Sequence, residues 1–107
     1  MKKLLVPLAA ALLATTACAQ FVNGNSLLKD LRGGSNDRMF ALGYIAGVAD
    51  AYDEDVFCLP PRIQLGQIRD IVTKFLEENP KERHNHAGVL VLVPLMESYP
   101  CKKGGGV

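Results

Sequence analysis

The sequence predicts an all-α fold, a small domain of four to five helices stapled by one disulfide between Cys58 and Cys101. Three observations carry that expectation. Leu65, Ile68, Ile71, Val72, Phe75 and Leu76 recur at helical spacing, while Gln67, Arg69, Asp70, Lys74 and Glu77 fill the other faces. Glycine, asparagine and proline fall where helices would begin and end. The one ambiguous apolar run, Ala87 to Val93, has no second strand to pair with, and a lone strand would leave its backbone unsatisfied.

The chain has 107 residues, which allows one domain, and its start reads as an export signal. Residues 1–19 form a signal peptide: Lys2 and Lys3 give the basic end, Leu4 to Ala14 the apolar stretch, and Ala17-Cys18-Ala19 the small-x-small pattern before Gln20. That apolar stretch is too short to span a bilayer as an ordinary helix, so cleavage rather than anchoring is expected. A competing reading makes Cys18 the acylated residue of a lipoprotein. Thr15 disfavours it, standing where such signals have Leu, Val or Ile. The helical domain then covers residues 20–101, and residues 102–107, Lys-Lys-Gly-Gly-Gly-Val, read as a disordered tail.

The first helix is expected over Ser26 to Leu31, capped by Asn23 or Asn25, with Leu27, Leu28 and Leu31 as its apolar stripe and Gly33-Gly34 as its stop. Ser35, Asn36 and Asp37 are cap candidates for a central helix from about Asp37 to Asp53. Met39, Phe40, Tyr44, Ile45 and Val48 are expected to pack into the core from it. Gly43 and Gly47, four residues apart, share one face of that helix. Each costs about 1 kcal/mol relative to alanine, so their expected role is close helix packing, within the chain or across a dimer. Simple tolerance is the alternative.

Pro60-Pro61 stiffens the loop around Cys58. The third helix should end near Asn79, and Asn79-Pro80 should cap and restart a helix. The last apolar segment is expected to be a buried helix kinked at Pro94, which removes a bond to the Leu90 carbonyl.

Composition excludes several function classes. Twelve basic and eleven acidic side chains, a net charge of +1, give no electrostatic footprint for nucleic acid or, after signal cleavage, for an anionic membrane. Loss of Cys18 with the signal leaves Cys58 and Cys101, an even number in an oxidising compartment. Bridging them closes a long loop, worth about 4 kcal/mol in the chain-entropy account. No C-x-x-C marks a redox pair. His84 and His86, with Glu82 nearby, point to different faces of a helix, so no metal site is expected. Asp50, Asp53, Glu54 and Asp55 lack the spacing and glycine of a calcium loop. No catalytic residue, cofactor site or metal site is predicted, and the chain is not expected to be an enzyme.

An ordered set of landmarks does point to a family. Phe21-x-x-Gly24-x-x-Leu27-Leu28 opens the exported chain, and Gly43-Tyr44-Ile45-x-Gly47-Val48-x-Asp50 follows. Phe57-Cys58-x-Pro60, Gln67, Asn79-Pro80-x-x-Arg83 and Pro100-Cys101 complete the series. The chain resembles the Rap/Tai family of periplasmic immunity proteins of type VI secretion systems over essentially its whole exported length. That resemblance implies an all-helical fold, usually a homodimer, which binds and blocks a secreted peptidoglycan amidase effector. Many members carry a further cysteine pair, where this chain has Leu31 and Ala41 or their neighbours. The shared motifs are scaffold, so contact residues must be sought in the loops.

The expected partner-facing surface is Asp53, Glu54, Asp55 and Phe57, with Glu82, Arg83 and His84 of the Lys81 to His86 turn as its second part. Solvated surface with no partner is the bland reading of the acidic set. The alternative function is a small periplasmic helical stress or chaperone-like protein with no toxin partner. It would bury acid-titrating groups at a dimer interface.

Overall fold

The computed structural model describes residues 21–102. The expected signal peptide, with Cys18, and the tail beyond Lys102 lie outside them. Four α-helices follow one another: α1 (Gly24–Leu31), α2 (Ser35–Tyr52), α3 (Leu65–Glu78) and α4 (Ala87–Ser98), with a 3-10 turn at Pro80–Glu82 before α4. Among the described residues the only β pairings are isolated bridges, Asn23 with His86 and Asp53 with Phe57. The all-α expectation holds.

Asn23 is the cap of α1. Its Oδ1 accepts from the Ser26 N–H at 2.9 Å, while the Ser26 Oγ accepts from the Asn23 N–H at 3.1 Å. This reciprocal pair starts the helix at Gly24, ahead of the expected Ser26. Gly24 is required by contact rather than by backbone angle. Its N–H donates to the Asn85 carbonyl at 3.0 Å, and the Asn25 N–H donates to the Arg83 carbonyl at 2.8 Å. A Cβ at Gly24 would fall 2.8 Å from the Arg83 carbonyl oxygen and would also strike the Leu90 side chain. The Ala87 N–H, donating to the Val22 carbonyl at 3.0 Å, completes the seam between the entry to α1 and α4.

The inward face of α2 differs from the expected one. Ala41, Ile45 and Ala49 are buried, at i, i+4 and i+8, whereas Met39 is 69% and Phe40 54% exposed. The reason lies in the neighbours: α1, α3 and α4 all pack against α2. Three helices close more tightly on a narrow, alanine-lined stripe than on bulky side chains, so Met39 and Phe40 turn outward. The helix also begins earlier than expected, because Gly34 is the N-cap and Ser35, Asn36 and Asp37 already lie in the first turn. Arg38 secures that turn from outside, its guanidinium donating to the Gly33 carbonyl at 2.9 Å.

In α3 the expected stripe is borne out by Ile68, Val72 and Leu76, which are buried, while Leu65 at the first helical position is 38% exposed, beyond the edge of the core. Gln64 and Gln67 cap the start, the Gln64 N–H donating to the Gln67 Oε1 at 3.0 Å. Asn79 does not cap a new helix with its side chain. Its Nδ2 instead donates back to the Phe75 carbonyl at 2.8 Å, closing α3, and Pro80 opens only the 3-10 turn. α4 runs through Pro94, with Ala87, Leu90, Val91, Pro94 and Leu95 buried. Its start is capped by the His86 Nδ1, which accepts from the Gly88 N–H at 3.0 Å.

The Cys58–Cys101 disulfide joins the α2–α3 connection to the chain end after α4, across a separation of 43 residues. The Cys58 N–H donates to the Tyr99 carbonyl at 2.8 Å beside it. The Arg32–Glu77 ion pair at 3.0 Å links α1 to α3, but both side chains are about half exposed and such pairs add at most about 1 kcal/mol.

Gly24→Ala is expected to lower unfolding stability by about 1–3 kcal/mol, because the added methyl meets backbone that cannot yield. Replacing both cysteines by serine should cost about 2–4 kcal/mol. Urea titrations followed by circular dichroism measure both.

Candidate functional site

The connection after α2 is built as a tight, fixed turn. The Tyr52 carbonyl accepts from the N–H groups of Asp55 and Val56, both at 3.0 Å, and the Glu54 N–H donates to the Phe57 carbonyl at 2.7 Å. Phe57 is fully buried and drives the turn into the core. This corrects the expectation that Phe57 faces a partner: a phenyl ring of that size is worth more inside the apolar cluster than on the surface. Asp53 also has an internal task. Its Oδ1 accepts from the Leu59 N–H at 2.9 Å, so the carboxylate holds the approach to the disulfide.

Glu54 and Asp55 are then the carboxylates this turn presents to solvent; both are exposed. Glu54 has φ of 71°, and it is the only described non-glycine residue with positive φ. A left-handed backbone costs an L-residue about 1–2 kcal/mol, and glutamate gains nothing from it locally. Glycine would adopt this backbone at lower cost than glutamate does.

The second expected group is placed elsewhere. Glu82 closes the 3-10 turn and its Oε1 accepts from the Asn85 Nδ2 at 3.1 Å; Arg83 is half-buried against α1, and His84 is exposed. Tyr44 lies beside Gly88 at the start of α4, and Cys58 bonds to Tyr99 at its end. The acidic turn therefore sits at the C-terminal end of α4 and the Glu82 to His84 group at its N-terminal end. A twelve-residue helix separates them by roughly 18 Å, so they do not form one compact patch.

Between these ends runs a groove that the sequence did not single out. Tyr44, Val48 and Tyr52 from α2, the capping His86, and Gly88, Val89 and Leu92 from α4 line a space of 260 Å³. Tyr52 and Val89 are 41% and 53% exposed. The i, i+4, i+8 spacing of Tyr44, Val48 and Tyr52 was a signal available in the sequence, but it reads equally well as core. Burial raises the Tyr44 phenol above its ordinary value of 10.0, with a hydrogen bond from the Gly88 backbone opposing the shift in part. The unfolded chain thus ionises first, and this contribution to stability is present below the ordinary value and lost as pH rises through the raised one.

No group of three or more potential metal-ligating side chains exists among the described residues, and no described helix is long and apolar enough to cross a membrane. The surface offers exposed carboxylates on a hydrogen-bonded turn and a partly apolar groove. A family model described as Rap1a immunity proteins matches residues 18–101. No curated protein matches the chain.

Glu54→Gly is expected to raise stability by about 1 kcal/mol through relief of the left-handed conformation, whereas Asp53→Ala should lower it by about 1–3 kcal/mol by leaving the Leu59 N–H without its acceptor. Thermal and urea unfolding of the two variants should move in opposite directions.

Proposed function

The chain belongs to the Rap1a immunity proteins, and from that premise we propose that it binds and inhibits a type VI secretion peptidoglycan amidase in the periplasm, protecting the producing cell. In this reading the protein is an inhibitor rather than an enzyme, is exported through its signal peptide and acts as a homodimer.

The observation that carries the reading is the turn at Asp53 to Phe57, with Glu54 held at φ of 71° and its carboxylate in solvent. An amidase of the Cys/His type has a groove containing a histidine that is readily protonated. A carboxylate delivered on a fixed turn complements that site, and the turn loses little conformational entropy on binding because Phe57, the Asp53 clasp and the disulfide have already ordered it. Glu54 and Asp55 are the contact residues in this account, and Asp53 and Phe57 hold them in place. The Glu82 to His84 group contributes only if the effector spans the length of α4. A chaperone released by acid would draw on carboxylates buried at a dimer interface; within the single chain no charged side chain is buried among the described residues.

The test is a pull-down with the exported protein, disulfide intact, against candidate amidase effectors, followed by peptidoglycan hydrolysis by the captured enzyme. Tight capture with loss of hydrolysis is expected. Replacing Glu54 and Asp55 together by lysine should weaken inhibition by about a hundredfold, since juxtaposed like charges cost several kcal/mol, while thermal unfolding stays near that of the parent. Inhibition that survives this reversal removes the acidic turn from the interface.

A further inference from the structure

Phe57, Cys58 and Leu59 each carry one of the hydrogen bonds that hold the acidic turn. The Phe57 carbonyl accepts from the Glu54 N–H at 2.7 Å, the Cys58 N–H donates to the Tyr99 carbonyl at 2.8 Å, and the Leu59 N–H donates to the Asp53 Oδ1 at 2.9 Å. The disulfide sits at the middle residue of that run and ties it covalently to the chain just past α4. While the bond is closed, the segment from Asp53 to Leu59 can open only if the end of α4 moves with it, and α4 is buried through Leu95. With the bond open, hydrogen bonds that are individually weak, together with the buried Phe57 ring, are what remains. At the other end of the bundle the seam of Gly24, Asn25 and Ala87 contains no cysteine. The bond therefore acts on one end of the fold.

We infer that the Cys58–Cys101 disulfide is a redox switch on the acidic turn: closed, it holds the form that presents Glu54 and Asp55, and open, it lets the turn fray on both sides of Phe57 while the helices stay packed. Closing the bond passes two electrons and two protons from the two thiols to a disulfide oxidant, whose own bond opens to a dithiol. In the reverse exchange a dithiol attacks the sulfur of the exposed Cys101, the half-buried Cys58 leaves as thiolate, and the dithiol closes to its own disulfide. A reducing cytosol keeps the switch open and an oxidising compartment closes it. The consequence rests on the inhibitor reading above and adds its regulation. A frayed turn must be ordered on binding, which weakens it as an inhibitor. An effector made in the same cell thus meets no competent turn until the inhibitor has been exported.

Backbone 15N relaxation on the exported protein, oxidised and then reduced with dithiothreitol, tests the switch without any effector. Amides from Glu54 to Leu59 should have order parameters of about 0.85 when oxidised and below about 0.6 when reduced, while those of the four helices keep their values. Cys58→Ser combined with Cys101→Ser should reproduce the reduced form without a reductant. That double variant should also bind the amidase captured in the pull-down at least about tenfold more weakly than the oxidised parent does. Unchanged order in the turn overturns the inference, even where the urea midpoint falls, because the bond then only staples the fold. So does loss of the helical circular dichroism signal in both the reduced protein and the double variant. An amidase bound equally by the parent and the double variant overturns the switch and leaves the proposed function standing. Absence of any capture removes that function and leaves the relaxation result to decide the switch.

Discussion

The narrow inward stripe of α2 is the constraint on which the rest of the structure depends. Ala41, Ile45 and Ala49 give α1, α3 and α4 a common surface in which one large side chain, Ile45, is flanked by two small ones. Close packing of that kind gains dispersion contacts along the whole helix. It also forces the bulk of α2, Met39 and Phe40, to the outside. One packing decision thus makes the core compact and leaves an apolar surface exposed. Both consequences follow from where the alanines fall.

The two ends of the bundle are closed by different means. At the α4 N-terminus the entry to α1 is sewn on by backbone hydrogen bonds from Gly24, Asn25 and Ala87, and the closeness of that seam leaves no room for a side chain at Gly24. At the opposite end a covalent bond, the Cys58 N–H bond to Tyr99 and the Asp53 clasp hold the connection that follows α2. The second arrangement fixes a short exposed turn instead of filling it. The turn that carries Glu54 and Asp55 is anchored in the core by Phe57, which is fully buried. The same separation explains why the Glu82 to His84 group cannot reinforce the acidic turn: α4 stands between them at its full length.

Helix content was readable from the chain because it rests on local rules. The Leu65 to Leu76 periodicity and the pairing of Cys58 with Cys101 proved accurate, each being set by spacing or by counting, and of the two caps left open, Asn23 and Asn25, the first is the one used. The landmarks of the family were equally readable, and the match over residues 18–101 agrees with them. Errors came where one residue had two uses. Met39, Phe40 and Phe57 are all large and apolar; the first two were expected inside as apolar residues of the central helix and the third outside as part of a partner-facing loop, the reverse of what is found. Asp53 looked like its acidic neighbours, although its carboxylate bonds the backbone of Leu59.

The sequence by itself determined the elements, their order, the disulfide and the family, because helical period, capping chemistry and cysteine count act over short range or without regard to geometry. Only the tertiary structure decided which face of α2 turns inward, that Phe57 anchors the acidic turn, and that the two groups of candidate contact residues lie at opposite ends of α4. Those outcomes depend on three helices competing for one surface and on the length of a fourth. Neither quantity exists until the chain is folded.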